Sequence, residues 1–172
     1  TLELDRRQRQ MCIRDRAKKG HVPLGYYKAA EKSAETFVQI NGVRWAIPGD
    51  MASVEEDGSI MLHGRGSTSI NTGGEKVFPE EVEAALKAHP DIADTLVVGI
   101  PDERWGQSVV ALYRSHNNKE LDLGEVRDFC RDTIAAYKAP RALLRVDAIK
   151  RTPAAKADYV WAQEEAVARL AN

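Results

Sequence analysis

Residues 78–114 read FPEEVEAALKAHPDIADTLVVGIPDERWGQSVVALYR, and this stretch decides the fold class. Pro79 suits a first helical position, where its missing N–H is no loss. Glu80 and Glu81 suit the first turn, where carboxylates meet the positive end of the helix dipole. Val82, Ala85 and Leu86 recur at helical spacing until His89-Pro90 ends the run, which predicts an amphipathic helix. Residues 94–100 and 108–114 are apolar and rich in Val, Leu and Ile, so they predict two strands, paired antiparallel across the loop PDERWGQ.

Working toward the C-terminus, Asp122 and Glu125 form a capping-box pattern. Val126, Phe129, Cys130, Ile134 and Tyr137 then mark one helix face until Pro140. Residues 142–149 predict a short apolar strand, 150–156 a polar loop, and 157–170 a last helix with Trp161 and Val167 available for packing. Toward the N-terminus, residues 50–64 predict a hairpin around the turn Glu55-Glu56-Asp57-Gly58. The segment GRGSTSINTGGEKV at 64–77 is too small and polar for core and reads as loop, with a short strand at 68–71. Gly20, Pro23 and Gly25 are turn signals before a short polar helix at 29–37. Residues 1–19, crowded with arginine and lacking apolar periodicity, are an irregular tail or scar. The expected fold is α+β: a small three-stranded sheet with packed helices, preceded by a β-hairpin tail.

The composition narrows the function classes. With 172 residues, 43% hydrophobic and 30% charged, the chain suits one domain, or a small domain with a piece of another. Twenty-five basic side chains against 26 acidic ones give a net charge of −1 and no pull toward nucleic acid. Cys12 and Cys130 make no disulfide framework, and no apolar run approaches the roughly 18 residues of a membrane helix. A cytoplasmic protein is expected. His63 and His89 have no partners at metal-ligand spacing, so no metal site is assigned.

Four separated motifs carry a resemblance: PGD at 48–50, GRGSTSINTGGEKVFPEEVE at 64–83, VVGIPDERWGQSVVA at 97–111 and YKAPRALLRVDAIKRTPAAKADY at 137–159. In this order they resemble the C-terminal part of AMP-forming acyl-CoA synthetases, within the adenylate-forming superfamily. Gly73-Gly74-Glu75 and the upstream GHVPLGYYKAAEKSAETF look like the fatty-acid CoA ligase branch. The resemblance implies residues 20–65 as the end of a large adenylating domain, 66–67 as a hinge, and 68–172 as the small C-terminal domain. No phosphate loop of the family's ATP site occurs in the sequence.

The implied chemistry couples a fatty or other carboxylic acid to CoA through acyl-AMP, using ATP, with Mg2+ implied for the full-length enzyme and no site for it here. Lys156 would bridge the α-phosphate and the incoming carboxylate, a task for a compact ammonium. Its alternative is an ordinary exposed lysine. Asp50 would accept hydrogen bonds from the ribose hydroxyls, or merely stabilise a turn. Arg65 would contact the nucleotide, or be an ordinary surface arginine. Gly73, Gly74 and Glu75 would line the pantetheine tunnel, or simply form a tight turn. Trp105 is assigned to packing.

Two departures stand out from the family pattern. Ala155 replaces the usual glycine before the lysine and would be strained if φ is positive there. Ser67 stands at the hinge where Asp or Lys is usual. Other readings remain: a catalytically inactive truncated fragment, a stand-alone module docking on a separate adenylating subunit, and an adenylating enzyme with a carrier-protein thiol as acceptor.

Overall fold

A computed structural model describes residues 14–15, 18–55 and 57–171, which divide into two compact units, Thr1–Ser67 and Thr68–Asn172. Among the described residues of the first unit, helix α1 (Ala30–Thr36) leads into a hairpin of β3 (Phe37–Ile40) and β4 (Val43–Ala46). Asn41 and Gly42 both take positive φ, 51° and 73°, as a two-residue type I′ turn requires. A second hairpin joins β5 (Asp50–Val54) to β6 (Ile60–Arg65), as the turn chemistry predicts, with Glu56 outside the described residues. Most of the expected irregular tail also lies outside them. Its described part is a correction: β1 (Arg14–Asp15) pairs with β5, and β2 (Lys18–Lys19) with β4. Backbone ladders need no apolar periodicity, so composition alone could not reveal these edge strands.

The second unit is a mixed helix and strand fold whose sheet has five strands rather than the expected three. β9 (Ile92–Asp102) and β10 (Gly106–Ser115) form a long antiparallel hairpin. β11 (Ala142–Arg145) lies parallel to β10, from Val110↔Ala142 to Tyr113↔Arg145. The two extra strands are β7 (Ile70–Thr72) and β8 (Glu75–Val77), a small hairpin that joins the sheet where Thr72 meets Gly106. Its strands are only three residues each, too short to show the alternation by which strands are recognised in sequence.

Both faces of this sheet are covered, which explains the unbroken apolar runs of β9 and β10. Val97, Val109, Ala111 and Tyr113 point to one side and pack with Val82 and Leu86 of α2 (Pro79–Lys87) and Val126 and Cys130 of α3 (Leu123–Cys130). Leu96, Val98, Val110 and Leu112, their alternates along the strands, pack on the other side with Ala162 and Ala166 of α4 (Tyr159–Leu170). α4 meets the sheet through these two buried alanines, while Val167, expected to pack, stays 45% exposed. Small side chains at the contact permit close approach, and the bulkier valine is turned away.

Helix α3 starts where expected, with Asp122 Oδ1 accepting a 3.0 Å hydrogen bond from the Glu125 N–H. It ends at Cys130, well before Pro140, and the Thr133 hydroxyl donates to the Cys130 carbonyl at 3.2 Å. No helix among the described residues is long and apolar enough to cross a membrane.

Candidate active site

Lys156 stands in a tight hairpin-like turn between β11 and α4. Arg151 and Ala157 form its base as an isolated antiparallel bridge. Within the turn the Thr152 N–H donates to the Lys156 carbonyl and the Ala155 N–H to the Thr152 carbonyl, each at 2.8 Å. The Thr152 hydroxyl accepts from the Lys156 N–H at 3.3 Å. Ala155 takes φ = 58°, the left-handed region in which its Cβ is strained. The Lys156 side chain is exposed, and its ammonium has no ion-pair partner among the described residues.

Two side chains beside the turn tie it to the body of the unit. On the incoming side, Arg151 Nη2 lies 2.6 Å from Asp94 Oδ2, and Lys87 Nζ lies 3.3 Å from the other oxygen of that carboxylate. On the outgoing side, the Tyr159 hydroxyl donates to Glu83 Oε1 at 3.0 Å. The same oxygen accepts the Val97 N–H at 2.9 Å. Glu83 is only 7% exposed, and burial pushes its carboxyl above the usual range against the opposing pull of these hydrogen bonds. Burial and the neighbouring Glu83 charge also raise the Tyr159 phenol, which therefore remains a donor.

Asp50 and Arg65 meet in the first unit. They are register partners at the open end of the β5–β6 hairpin, with Arg65 Nε 3.6 Å from Asp50 Oδ1. Antiparallel pairing puts directly opposed side chains on one face, so the hairpin brings these two sequence candidates together. Ser67 is exposed within the 3₁₀ turn Gly66–Thr68, and the division between the two units falls just after it.

Gly73 and Gly74 are the two central residues of the β7–β8 turn, with φ of 60° and 87°. Gly73 donates its N–H to the Trp105 carbonyl at 2.9 Å, and a Cβ on it would come within 3.0 Å of the Trp105 ring. The turn and this ring contact account for the first glycine; the turn alone accounts for the second. Glu75 follows, exposed, at the start of β8. Trp105 is half-buried, and two guanidinium groups lie within cation–π range of its ring, with Arg104 Cζ at 4.8 Å and Arg141 Cζ at 4.4 Å from its centroid. It is thus both a packing surface for Gly73 and a cation–π platform.

Sequence reasoning missed Glu83, Tyr159 and Arg141. Glu83 left a faint signal: it follows Pro79 by four residues and precedes Leu86 by three, which puts a carboxylate on the buried stripe of α2. Tyr159 and Arg141 carried none, because their partners are distant in sequence. Among the described residues no group of three or more His, Cys, Asp or Glu is placed to hold a metal ion.

The chain has counterparts of known class. The family described as the AMP-binding enzyme C-terminal domain matches residues 81–156, and that segment belongs to it. The particular relatives are acyl-CoA ligases. Over 156 residues the chain is 59% identical to the medium/long-chain-fatty-acid–CoA/3-oxocholest-4-en-26-oate–CoA ligase of Mycobacterium tuberculosis, covering 91% of this chain and 28% of that protein. It is 52% identical, with the same coverage, to the 3-oxocholest-4-en-26-oate–CoA ligase of Rhodococcus rhodochrous. The o-succinylbenzoate CoA synthetase of Bacillus subtilis, solved with its acyl-adenylate intermediate, superposes with a TM-score of 0.74 at 30% identity, over 83% of this chain and 28% of that one. The chain thus spans little more than a quarter of the length of these relatives.

Proposed function

We propose that this chain is the C-terminal portion of an ATP-dependent acid–CoA ligase that makes acyl-AMP and then acyl-CoA from a fatty or other carboxylic acid. Residues 20–65 end its large adenylating domain, 66–67 are the hinge, and 68–172 are its small domain. The observation that carries this reading is Lys156, an exposed and unpaired ammonium on a braced turn inside the matched segment.

In the first half-reaction a carboxylate oxygen of the acid attacks the α-phosphorus of ATP, the bond to the β,γ-pyrophosphate breaks, and acyl-AMP forms. Negative charge gathers at the α-phosphate and the incoming carboxylate. Lys156 stabilises it as a compact point charge. Asp50 accepts the ribose hydroxyls, and Arg65, its cross-strand neighbour, lies against the nucleotide. In the second half-reaction the CoA thiolate attacks the acyl carbonyl and AMP leaves, with the exposed Gly73, Gly74 and Glu75 bordering the pantetheine arm.

The test separates the half-reactions in the enzyme restored to full length. Lys156→Ala is expected to slow acyl-AMP formation by about 10²–10³-fold or more, while thioester formation from supplied acyl-AMP stays close to parental. Equal losses in both would assign Lys156 a structural role and remove the basis of this reading.

A further inference from the structure

Lys156 is useful only if its turn is held still, and the hydrogen bonds within the turn hold its shape without tying it to the body of the unit. Residues 153–156 are exposed, and Ala155 sits in a backbone conformation that L-residues rarely take. The Arg151–Asp94 pair on the incoming side involves a 41% exposed arginine, so water and salt weaken it. The outgoing side is different. Tyr159 is the first residue of α4, three residues after the lysine, and its hydroxyl reaches Glu83 on α2.

Glu83 is itself fixed, because the Val97 N–H, from the middle of β9 in the core, donates to the oxygen that Tyr159 uses. An ionised acceptor strengthens both hydrogen bonds. A carboxylate is also a costly occupant of an interior site that an apolar side chain could fill. The chemistry proposed for Lys156 uses neither Tyr159 nor Glu83 directly.

We propose that Tyr159 and Glu83 are positioning residues for Lys156: the relay from Val97 through the Glu83 carboxylate to the Tyr159 hydroxyl anchors the outgoing end of the lysine turn to the core. This inference rests on the adenylating role given to Lys156 above. Glu83→Gln keeps an oxygen able to accept from both donors, whereas Tyr159→Phe keeps the ring and removes only the hydroxyl. The two variants therefore separate the relay from mere packing.

Three variants, Lys156→Ala, Tyr159→Phe and Glu83→Gln, are compared in the restored full-length enzyme with the half-reactions measured separately. Loss of the hydroxyl contact is expected to slow acyl-AMP formation about 5- to 20-fold, with thioester formation within about 2-fold of parental and Glu83→Gln close to parental in both. In the 172-residue chain, amide hydrogen exchange across residues 152–157 is expected to quicken in Tyr159→Phe while β9 and β10 stay protected. A Tyr159→Phe enzyme at the parental adenylation rate, or one slowed equally in both half-reactions, overturns the positioning role if Lys156→Ala is selectively slow. If Lys156→Ala itself adenylates at the parental rate, the functional reading fails first and takes this inference with it.

Discussion

At position 155 an alanine holds φ = 58° immediately before the lysine on which the proposed chemistry turns. A Cβ in the left-handed region crowds the following carbonyl, a strain of about 1 kcal/mol that glycine would not feel. Glycine would in turn gain freedom in the unfolded chain, so only part of the strain is recoverable. Ala155→Gly is expected to raise stability by roughly 0.5 kcal/mol, measured by denaturant unfolding of the parental and variant chains side by side. A variant less stable than its parent would mean that the turn adopts another backbone path. The departure at this position could be noticed in the sequence, but the sign of φ could not, because it is set by the Arg151–Ala157 bridge and the hydrogen bonds within the turn.

Among the elements, the two small hairpins show how turn chemistry acts. Asn41-Gly42 between β3 and β4 is a strong two-residue hairpin signal, in a stretch, 38–47, to which the sequence analysis assigns no element. Gly73-Gly74 between β7 and β8 was noticed but weighed for ligand approach as much as for a turn. The two glycines differ in surroundings: a Cβ at Gly73 meets the Trp105 ring, whereas one at Gly74 meets nothing within 4 Å. Both substitutions to alanine carry the positive-φ strain of about 1 kcal/mol, and Gly73→Ala adds displacement of Trp105. Gly73→Ala should therefore lower the melting temperature clearly more than Gly74→Ala, with Trp105 fluorescence shifting only in the former. Equal effects at both positions would mean that the ring contact carries no constraint.

For the whole molecule, the division between compact units after Ser67 bears on how one lysine and one glycine turn could serve two half-reactions. The resemblance implies a small domain used in two orientations, and such rotations concentrate φ/ψ change in a few residues at element ends. Ser67 is exposed, within the 3₁₀ turn Gly66–Thr68 that leads from β6 toward β7. Proline there would fix φ near −65° and restrict Gly66 as well. The full-length Ser67→Pro enzyme is expected to make acyl-AMP near the parental rate and to form the thioester at least about 10-fold more slowly, as hinge variants change turnover. Thioester formation at the parental rate in a folded variant would place the pivot elsewhere.

By itself the sequence determined helix α2, the β9–β10 hairpin and the start of α3, because each rests on local signals: caps, periodicity and proline stops. It did not determine the five-stranded sheet, the burial of α4 through Ala162 and Ala166 in place of Val167, or the relay from Val97 through Glu83 to Tyr159. Those depend on pairings between residues far apart in the chain, such as Glu83 with Tyr159 and Asp94 with Arg151. Local propensity carries no information about which distant partner will arrive. They come together only at β9, which supplies Asp94 itself and the Val97 N–H that holds Glu83.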